Sequence, residues 1–219
     1  MDAISPWKPG KLLHEGAEAT VTAGSWLGIP SVLKVRRPRG YRHPDLDRRL
    51  TRQRLAAEAR ALARLQAIGF PSPTIMHLDQ KASLILMTRM EGVPLYDMLK
   101  DGSAGTEKLG DLGSLIRLLH ESGISHGDLT THNVIASREN ALSLIDFGLS
   151  RQSPELEHLG LDLQVLNECL GASHSSIKDA IGIVCEGYLR ADSGQSETES
   201  AMNVVERFRK ITSRVRYHG

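Results

Sequence analysis

The sequence predicts an α+β fold of two lobes: a small β-rich N-lobe that carries one long helix, and a larger, mainly helical C-lobe. Three observations predict it. Strand-like stretches lie before residue 90, broken by a single long helical pattern. Helical patterns dominate after Leu95. Between them in character, the stretch from His126 to Gly148 sets a polar loop ahead of a short apolar hairpin. The expected division is residues 1–90, residues 91–211, and a basic tail over residues 212–219.

In chain order, Leu12 and Leu13 lead into two short antiparallel strands with a tight connection at Gly16. Ser31 to Arg36 reads as a third strand, with Lys34 inside its apolar run. A long helix then runs to about Ile68, capped by Asp45 or Asp47. Leu55, Leu62 and Leu65 supply its apolar stripe, and Glu58, beside Ala56 and Ala57, faces inward. Gly69 stops it, and Pro71 and Pro73 carry the chain onward. Thr74 to Leu78 and Ser83 to Thr88 read as two strands joined by a turn at Asp79-Gln80. Lys108 to Ser122 is an amphipathic helix. Val134 to Ala136 and Leu142 to Ile145 form the hairpin. A helix begins near Gly160 and runs to Leu170, another covers Ile177 to Leu189, and a last one covers roughly Ala201 to Ile211. Asp192 to Ser200 is polar and reads as a mobile linker.

The chain has 219 residues, is 40% hydrophobic and carries a net charge of +1. That is enough apolar content for a core, and no global field points to nucleic acid or membrane. Two cysteines, Cys169 and Cys185, lie in apolar helical patterns and read as reduced core thiols. The N-terminal residues carry no secretory pattern, and no run of about 18 apolar residues exists. The expectation is a soluble intracellular protein with no membrane partner. Local basic density occurs at Arg36 to Arg54 and in the tail with Arg207, Arg209, Lys210, Arg214 and Arg216. Such runs are usually solvated helix faces or frayed tails, yet could grip RNA phosphates.

The stretch from His126 to Gly148 carries the chemistry. It reads His126-Gly127-Asp128-Leu129-Thr130-Thr131-His132-Asn133, then, after the hairpin, Asp146-Phe147-Gly148. This is the order and spacing of a kinase catalytic loop followed by a metal-binding loop. Two carboxylates and an amide can hold Mg²⁺ on a triphosphate, and one carboxylate can accept the proton of an attacking hydroxyl. Each triplet alone would be an ordinary turn; together, with Lys34 upstream, they predict a minimal bilobal protein-kinase-like fold. Lys34 then pairs nucleotide phosphates and Glu58 fixes it, the alternative being an edge-strand lysine turned to solvent. Backbone groups at Thr88 and Met90 could meet an adenine edge, with Met87 lining its back. Gly16, Ala17 and Glu18 occupy the place of a phosphate loop, a weak signal with one glycine. His126 reads as structural. Gly127 replaces the arginine that binds activation-loop phosphates in many kinases, and Thr130 replaces a common lysine. Asp162 could hold the catalytic loop's amides from below, or cap a helix.

With these segments set out, the sequence resembles the small atypical kinase of the KEOPS (EKC) complex, the PRPK type, related to the RIO kinases. The resemblance rests on Gly16-Ala17-Glu18-Ala19, Lys34, Gly40-Tyr41-Arg42-His43-Pro44 with Leu46-Asp47, Glu58-Ala59 with Leu62, the His126–Asn133 loop, and Ile145 to Leu149. It runs from about residue 10 to the tail. It implies Mg²⁺ and ATP as cofactors and serine/threonine autophosphorylation or ATPase activity. It also implies Asp128 as catalytic base, Asn133 and Asp146 as Mg²⁺ ligands, Lys34 on phosphates and Glu58 on Lys34. The implied partners are an ASKHA-fold subunit that makes threonylcarbamoyl-adenosine in tRNA and a small KEOPS subunit docked on the N-lobe. The tRNA itself could be met through the basic tail and the Arg36–Arg54 cluster. The implied location is the cytoplasm, with the nucleus open in a eukaryote. Thr88 and Arg89 depart from the family's usual hinge residues, Leu159 from a frequent lysine, and the tail from an Arg-Gly-Arg ending. Two other readings compete. One is a noncatalytic subunit bridging tRNA and the modifying enzyme. The other is a small-molecule phosphotransferase of the aminoglycoside or choline type, against which Thr130-Thr131 speaks.

Overall fold

The computed structural model describes residues 6–16, 19–37, 43–139, 141–194 and 198–216. The chain divides into two compact units, Met1–Ile68 with Ser72–Met90, and Gly69–Pro71 with Glu91–Gly219.

In the first unit β1 (Trp7–Glu15), β2 (Ala19–Trp26) and β3 (Ile29–Arg36) follow one another as antiparallel neighbours. Leu27 and Gly28, both with positive φ, close the tight β2–β3 turn that matches strand twist. β4 (Ile75–Asp79) and β5 (Leu84–Thr88) complete a sheet in the order β1-β2-β3-β5-β4. β3 is therefore central, with neighbours on both sides. The helix α1 (Pro44–Ala67) buries Leu55, Leu62 and Leu65 with Glu58 among them. Its cap is His43 rather than Asp45 or Asp47. The His43 ring accepts from the Asp45 amide at 3.3 Å, and Pro44 at the first helical position has no donor to satisfy.

The second unit is mainly helical. β6 (Val93–Pro94), β8 (Val134–Ala136) and β9 (Leu142–Leu144) form a three-stranded sheet, and β7 (Ile124–Ser125) pairs with β10 (Arg151–Gln152). The helices are α2 (Leu95–Asp101), α3 (Glu107–Glu121), α4 (Leu156–Ser173), α5 (Ala180–Arg190) and α6 (Ala201–Arg216). The helix expected to end at Leu170 runs on to Ser173, and three further boundaries differ for visible reasons. α4 begins at Leu156, one turn early, because the Glu155 amide donates to the His158 ring at 3.2 Å. α5 begins only at Ala180, since Asp179 adopts φ 50 and interrupts the run from Ile177. α6 continues past Ile211 to Arg216: Ile211 is buried, and the Thr212 hydroxyl donates to Gln164 Oε1 at 2.7 Å. The supposed linker is pinned where it starts. Asp192 accepts from Arg117 at 2.7 Å and from the Ala201 amide at 2.9 Å. Burial opposes its charge, but the Ala201 and Gly194 amides and the Arg117 guanidinium outweigh it and hold its carboxyl below the usual range. Among the described residues no helix is long and apolar enough to cross a membrane.

α3 and α5 pack through glycine. A Cβ on Gly187 would lie 2.0 Å from Gly110 O, and one on Gly113 would lie 2.0 Å from Val184 O. Both neighbours are backbone, so neither can yield without moving a helix. Gly187→Ala is expected to cost about 1–3 kcal/mol in a urea melt, whereas Gly171→Ala, which meets nothing within 4 Å, should be neutral or stabilising.

Candidate functional site

In the first unit the central position of β3 turns Lys34 inward. Its exposure is 6%, which removes the edge-strand alternative. Lys34 Nζ lies 2.9 Å from Glu58 Oε1, and Arg36 Nη2 lies 2.6 Å from Glu58 Oε2. Glu58 is 1% exposed. One carboxylate thus spends each oxygen on a different β3 cation, which offsets the desolvation of all three. Arg36, counted with the surface arginines from sequence, is a buried member of this cluster. Arg37 pairs with Glu15 and Arg48 with Asp45, so part of the arginine run is neutralised. Arg39 and Arg42 lie outside the described residues. So do Ala17 and Glu18; Gly16 closes its end of the connection by donating to Ala19 O at 3.0 Å. Met87 is buried in β5. The Thr88 amide is bonded to Thr74 O and the Arg89 amide to Pro30 O, at 2.9 and 3.1 Å.

In the second unit the polar loop leaves β7 and turns through Thr131–Asn133 into β8. Asn133 Nδ2 donates to the Asp128 carbonyl at 2.8 Å and reaches Asp128 Oδ2 at 3.3 Å. That leaves the amide oxygen available to hold a cation. The Ile145 amide donates to Asn133 O at 3.0 Å, which brings the segment entering Asp146 beside Asn133. Asp128 and Asp146 are exposed and Asn133 half-buried. Asp146 has φ 63, the left-handed region that L side chains seldom occupy. Phe147, completely buried next to it, packs its ring 5.0 Å from that of His126.

The loop is fixed from beneath. Asp162, on α4, accepts from the His126 amide at 2.6 Å and the Gly127 amide at 2.7 Å. It lies 3.2 Å from His120 Nε2, whose other ring nitrogen is 2.8 Å from the Tyr188 hydroxyl. A carboxylate only accepts, so Nε2 carries the proton and Tyr188 donates to Nδ1. His126 is structural: its Nε2 lies 3.0 Å from Ile145 O, and its Nδ1 is 3.3 Å from the Asp128 amide. Gly127 is required by geometry, since φ is 79 and a Cβ would sit 2.3 Å from Leu149 O. Sequence reasoning missed the support of Thr131. Its buried hydroxyl lies 3.0 Å from His174 Nε2 and 3.4 Å from Cys169 Sγ. Only the pairing of a buried threonine with a histidine forty-three residues later could have signalled it, and no local pattern links them.

Two exposed carboxylates and an amide oxygen are hard oxygen donors of the kind Mg²⁺ takes. No group of three or more His, Cys, Asp or Glu side chains able to hold a metal occurs among the described residues. The donor set fits a cation that shares its coordination with a phosphate ligand.

Comparison with known proteins gives consistent relatives. Residues 38–166 match the lipopolysaccharide kinase (Kdo/WaaP) family. The chain is 33% identical to the EKC/KEOPS complex subunit bud32 of Aspergillus clavatus, over 86% of this chain and 85% of that one. It is likewise 33% identical to the EKC/KEOPS complex subunit Tp53rkb of Mus musculus, over 87% and 81%. A probable bifunctional tRNA threonylcarbamoyladenosine biosynthesis protein of Methanothermobacter thermautotrophicus is 34% identical over 95% of this chain, which spans 37% of that longer protein. A solved structure of the Rio2 kinase-ADP/Mg²⁺-phosphoaspartate complex from Chaetomium thermophilum superposes with a TM-score of 0.61 at 17% identity, covering 97% of this chain and 72% of that one. The bilobal, Rio2-like fold is thereby shown.

Asp162→Ala should strand two backbone donors and the His120 N–H, costing roughly 3–5 kcal/mol in denaturant unfolding. A pH effect is expected at His174. Burial, then the charges of His132 and Lys100, push its pKa below the ordinary 6.5. A lowered folded pKa means the unfolded chain binds the proton more readily. The stability this neutral ring contributes is full above pH 6.5 and is lost as pH falls below it. Melting temperature followed downward from pH 7 should fall less steeply in His174→Gln than in the parent chain.

Proposed function

The chain belongs to the lipopolysaccharide kinase (Kdo/WaaP) family and to the family of the EKC/KEOPS subunits bud32 and Tp53rkb; from that premise we propose that it is a Mg-ATP-dependent atypical serine/threonine kinase or ATPase that serves threonylcarbamoyl-adenosine formation in tRNA. The observation that carries the reading is the Asp128–Asn133–Asp146 loop, with its amide turned toward one carboxylate and its backbone tied to the other segment. The names of the relatives support the setting, and the chain's coverage of the bud32 and Tp53rkb proteins supports an equivalent subunit role.

Each side chain then has a task that its surroundings suit. Asp128, exposed and braced by Asn133, accepts the proton of the attacking hydroxyl, from serine, threonine or water. The oxygen attacks the terminal phosphorus as the bond to the ADP oxygen breaks. Lys34 places a positive charge on nucleotide phosphates, and Glu58, itself fixed by Arg36, prevents Lys34 from swinging away. Asn133 Oδ1 and the Asp146 carboxylate are the residues that would hold Mg²⁺. When bound, the ion supplies charge neutralisation on the phosphates. An adenine edge would use the Thr88 carbonyl and Met90, because the Thr88 and Arg89 amides are spent within the sheet; Met87 would line its back. Gly16, Ala17 and Glu18 would cover the phosphates through their backbone.

The proposed partners are an ASKHA-fold threonylcarbamoyl-transfer subunit, a small KEOPS subunit on the first unit, and tRNA. Arg209, Lys210 and Arg214 lie exposed on α6, which supports RNA contact there. The same face favours a second reading, a bridging subunit whose phosphoryl transfer is incidental.

ATP turnover with Mg²⁺ should be measurable for the chain and should rise with its ASKHA-fold partner. Asp146→Ala should lower it by about a hundredfold or more, the scale of losing one preorganised electrostatic contact to the transition state. Turnover that the substitution leaves unchanged, with folding and complex formation intact, would overturn the enzymatic reading and favour the bridge.

A further inference from the structure

A second basic site lies wholly within the first unit. Where β3 ends, the first turns of α1 and the β4–β5 turn enclose a cavity of about 120 Å³. Four cations line it: Arg36, Arg48, Arg52 and Lys81. Thr51 and Ser83 add hydroxyls, Gln80 an amide, and Asp47 the one carboxylate. The neighbouring Asp79 accepts from the Lys81 and Ala82 amides through Oδ1, at 2.8 and 3.0 Å.

The wall is unbalanced in charge. Arg48 shares Asp45, and Arg36 shares Glu58 through Nη2. Arg52 and Lys81 make no ion pair among the described residues, although the Asp79 charge lies near Lys81. The decisive group is Arg36. It is 8% exposed, yet its Nε–H has no hydrogen-bond partner among the described residues. A buried guanidinium donor left open is costly unless something accepts from it. Arginine's planar fork, with further cations around it, matches the oxygens of a tetrahedral phosphoryl dianion better than a single carboxylate.

We propose that this cavity is a binding site for a phosphoryl group, either inorganic phosphate or a small phosphate monoester, centred on Arg36 Nε with Arg52 and Lys81 closing around it. The occupant would share Arg36 with Glu58, and through Glu58 would bear on Lys34. Binding itself requires no catalysis, so the site stands or falls apart from the proposed phosphoryl transfer.

The test is NMR titration of the ¹⁵N-labelled full chain with sodium phosphate and, separately, with O-phosphoserine, against sodium chloride at matched ionic strength. Saturable shifts are expected in amides of residues 47–52 and 80–83. They should persist in Asp146→Ala, which separates this site from the proposed metal and nucleotide residues. Arg52 and Lys81 are exposed, so the double variant Arg52→Ala/Lys81→Ala should fold; it should weaken phosphate binding by about tenfold, or 1.4 kcal/mol. Tighter binding of inorganic phosphate would identify the free ion as the occupant, and tighter binding of phosphoserine would identify an ester. Shifts that chloride reproduces, that never saturate, or that the double variant leaves unchanged would overturn the proposal.

Discussion

A single buried carboxylate, that of Asp162, fixes the polar loop of the second unit. Its two oxygens take the His126 and Gly127 amides and face the His120 ring. Asp162, His120 and His126 are all buried, so water is no ready alternative partner for them. In such surroundings a charged acceptor on two backbone donors is far stronger than the same contact in water. The constraint extends outward from there. His120 carries it to Tyr188 on α5, and burial pushes the Tyr188 hydroxyl well above its ordinary pKa against the opposing pull of Arg117. Tyr188 therefore remains a donor at any physiological pH. Arg117, its guanidinium over the Tyr188 ring, then reaches Glu121, Asp192 and the Glu199 carbonyl. α3, α4 and α5 are registered by polar contacts as much as by apolar packing.

The first unit repeats the device with different chemistry. Glu58 is as buried as Asp162, but its partners are two side-chain cations on one strand instead of two loop amides. The distinction matters for what each can do. Amides cannot leave the backbone, so Asp162 can only hold. Lysine and arginine heads can be shared with an outside anion, so the Glu58 cluster can hold and still respond. The open Nε–H of Arg36 is the structural expression of that difference.

Much of this was legible in the sequence, for identifiable reasons. A lysine inside an apolar strand and a glutamate among alanines on the following helix each look costly alone, and each explains the other; the 2.9 Å contact is that explanation. The five-residue gap from Asp128 to Asn133 is local, so sequence alone predicts their proximity. Arg36 was misread because a run of arginines resembles a solvated face, and nothing local distinguishes the member that turns inward. The start of α5 was misread because Asp179 takes a left-handed backbone that its residue type does not announce. The end of α6 depends on Thr212 meeting Gln164 on another helix. Long-range satisfaction of polar groups is what single-sequence periodicity cannot see.

Gly127 and Asp146 show how the exposed side chains of the loop are aimed by groups that do no chemistry. At residue 127 the close approach of Leu149 O leaves no room for a side chain, so glycine there is imposed by packing before any question of regulation arises. At Asp146 the left-handed backbone costs on the order of 1 kcal/mol. It persists because its neighbours allow little else. Ile145 is bonded on both sides, its amide to Asn133 O and its carbonyl to the His126 ring. Phe147 is completely buried against that same ring. With the residues before and after it anchored inward, the Asp146 carboxylate is left outward. The local strain is thus the consequence of anchoring both flanks, and the Gly148 amide, donating to Asp146 Oδ1 at 3.3 Å, helps to fix the direction of this exposed carboxylate.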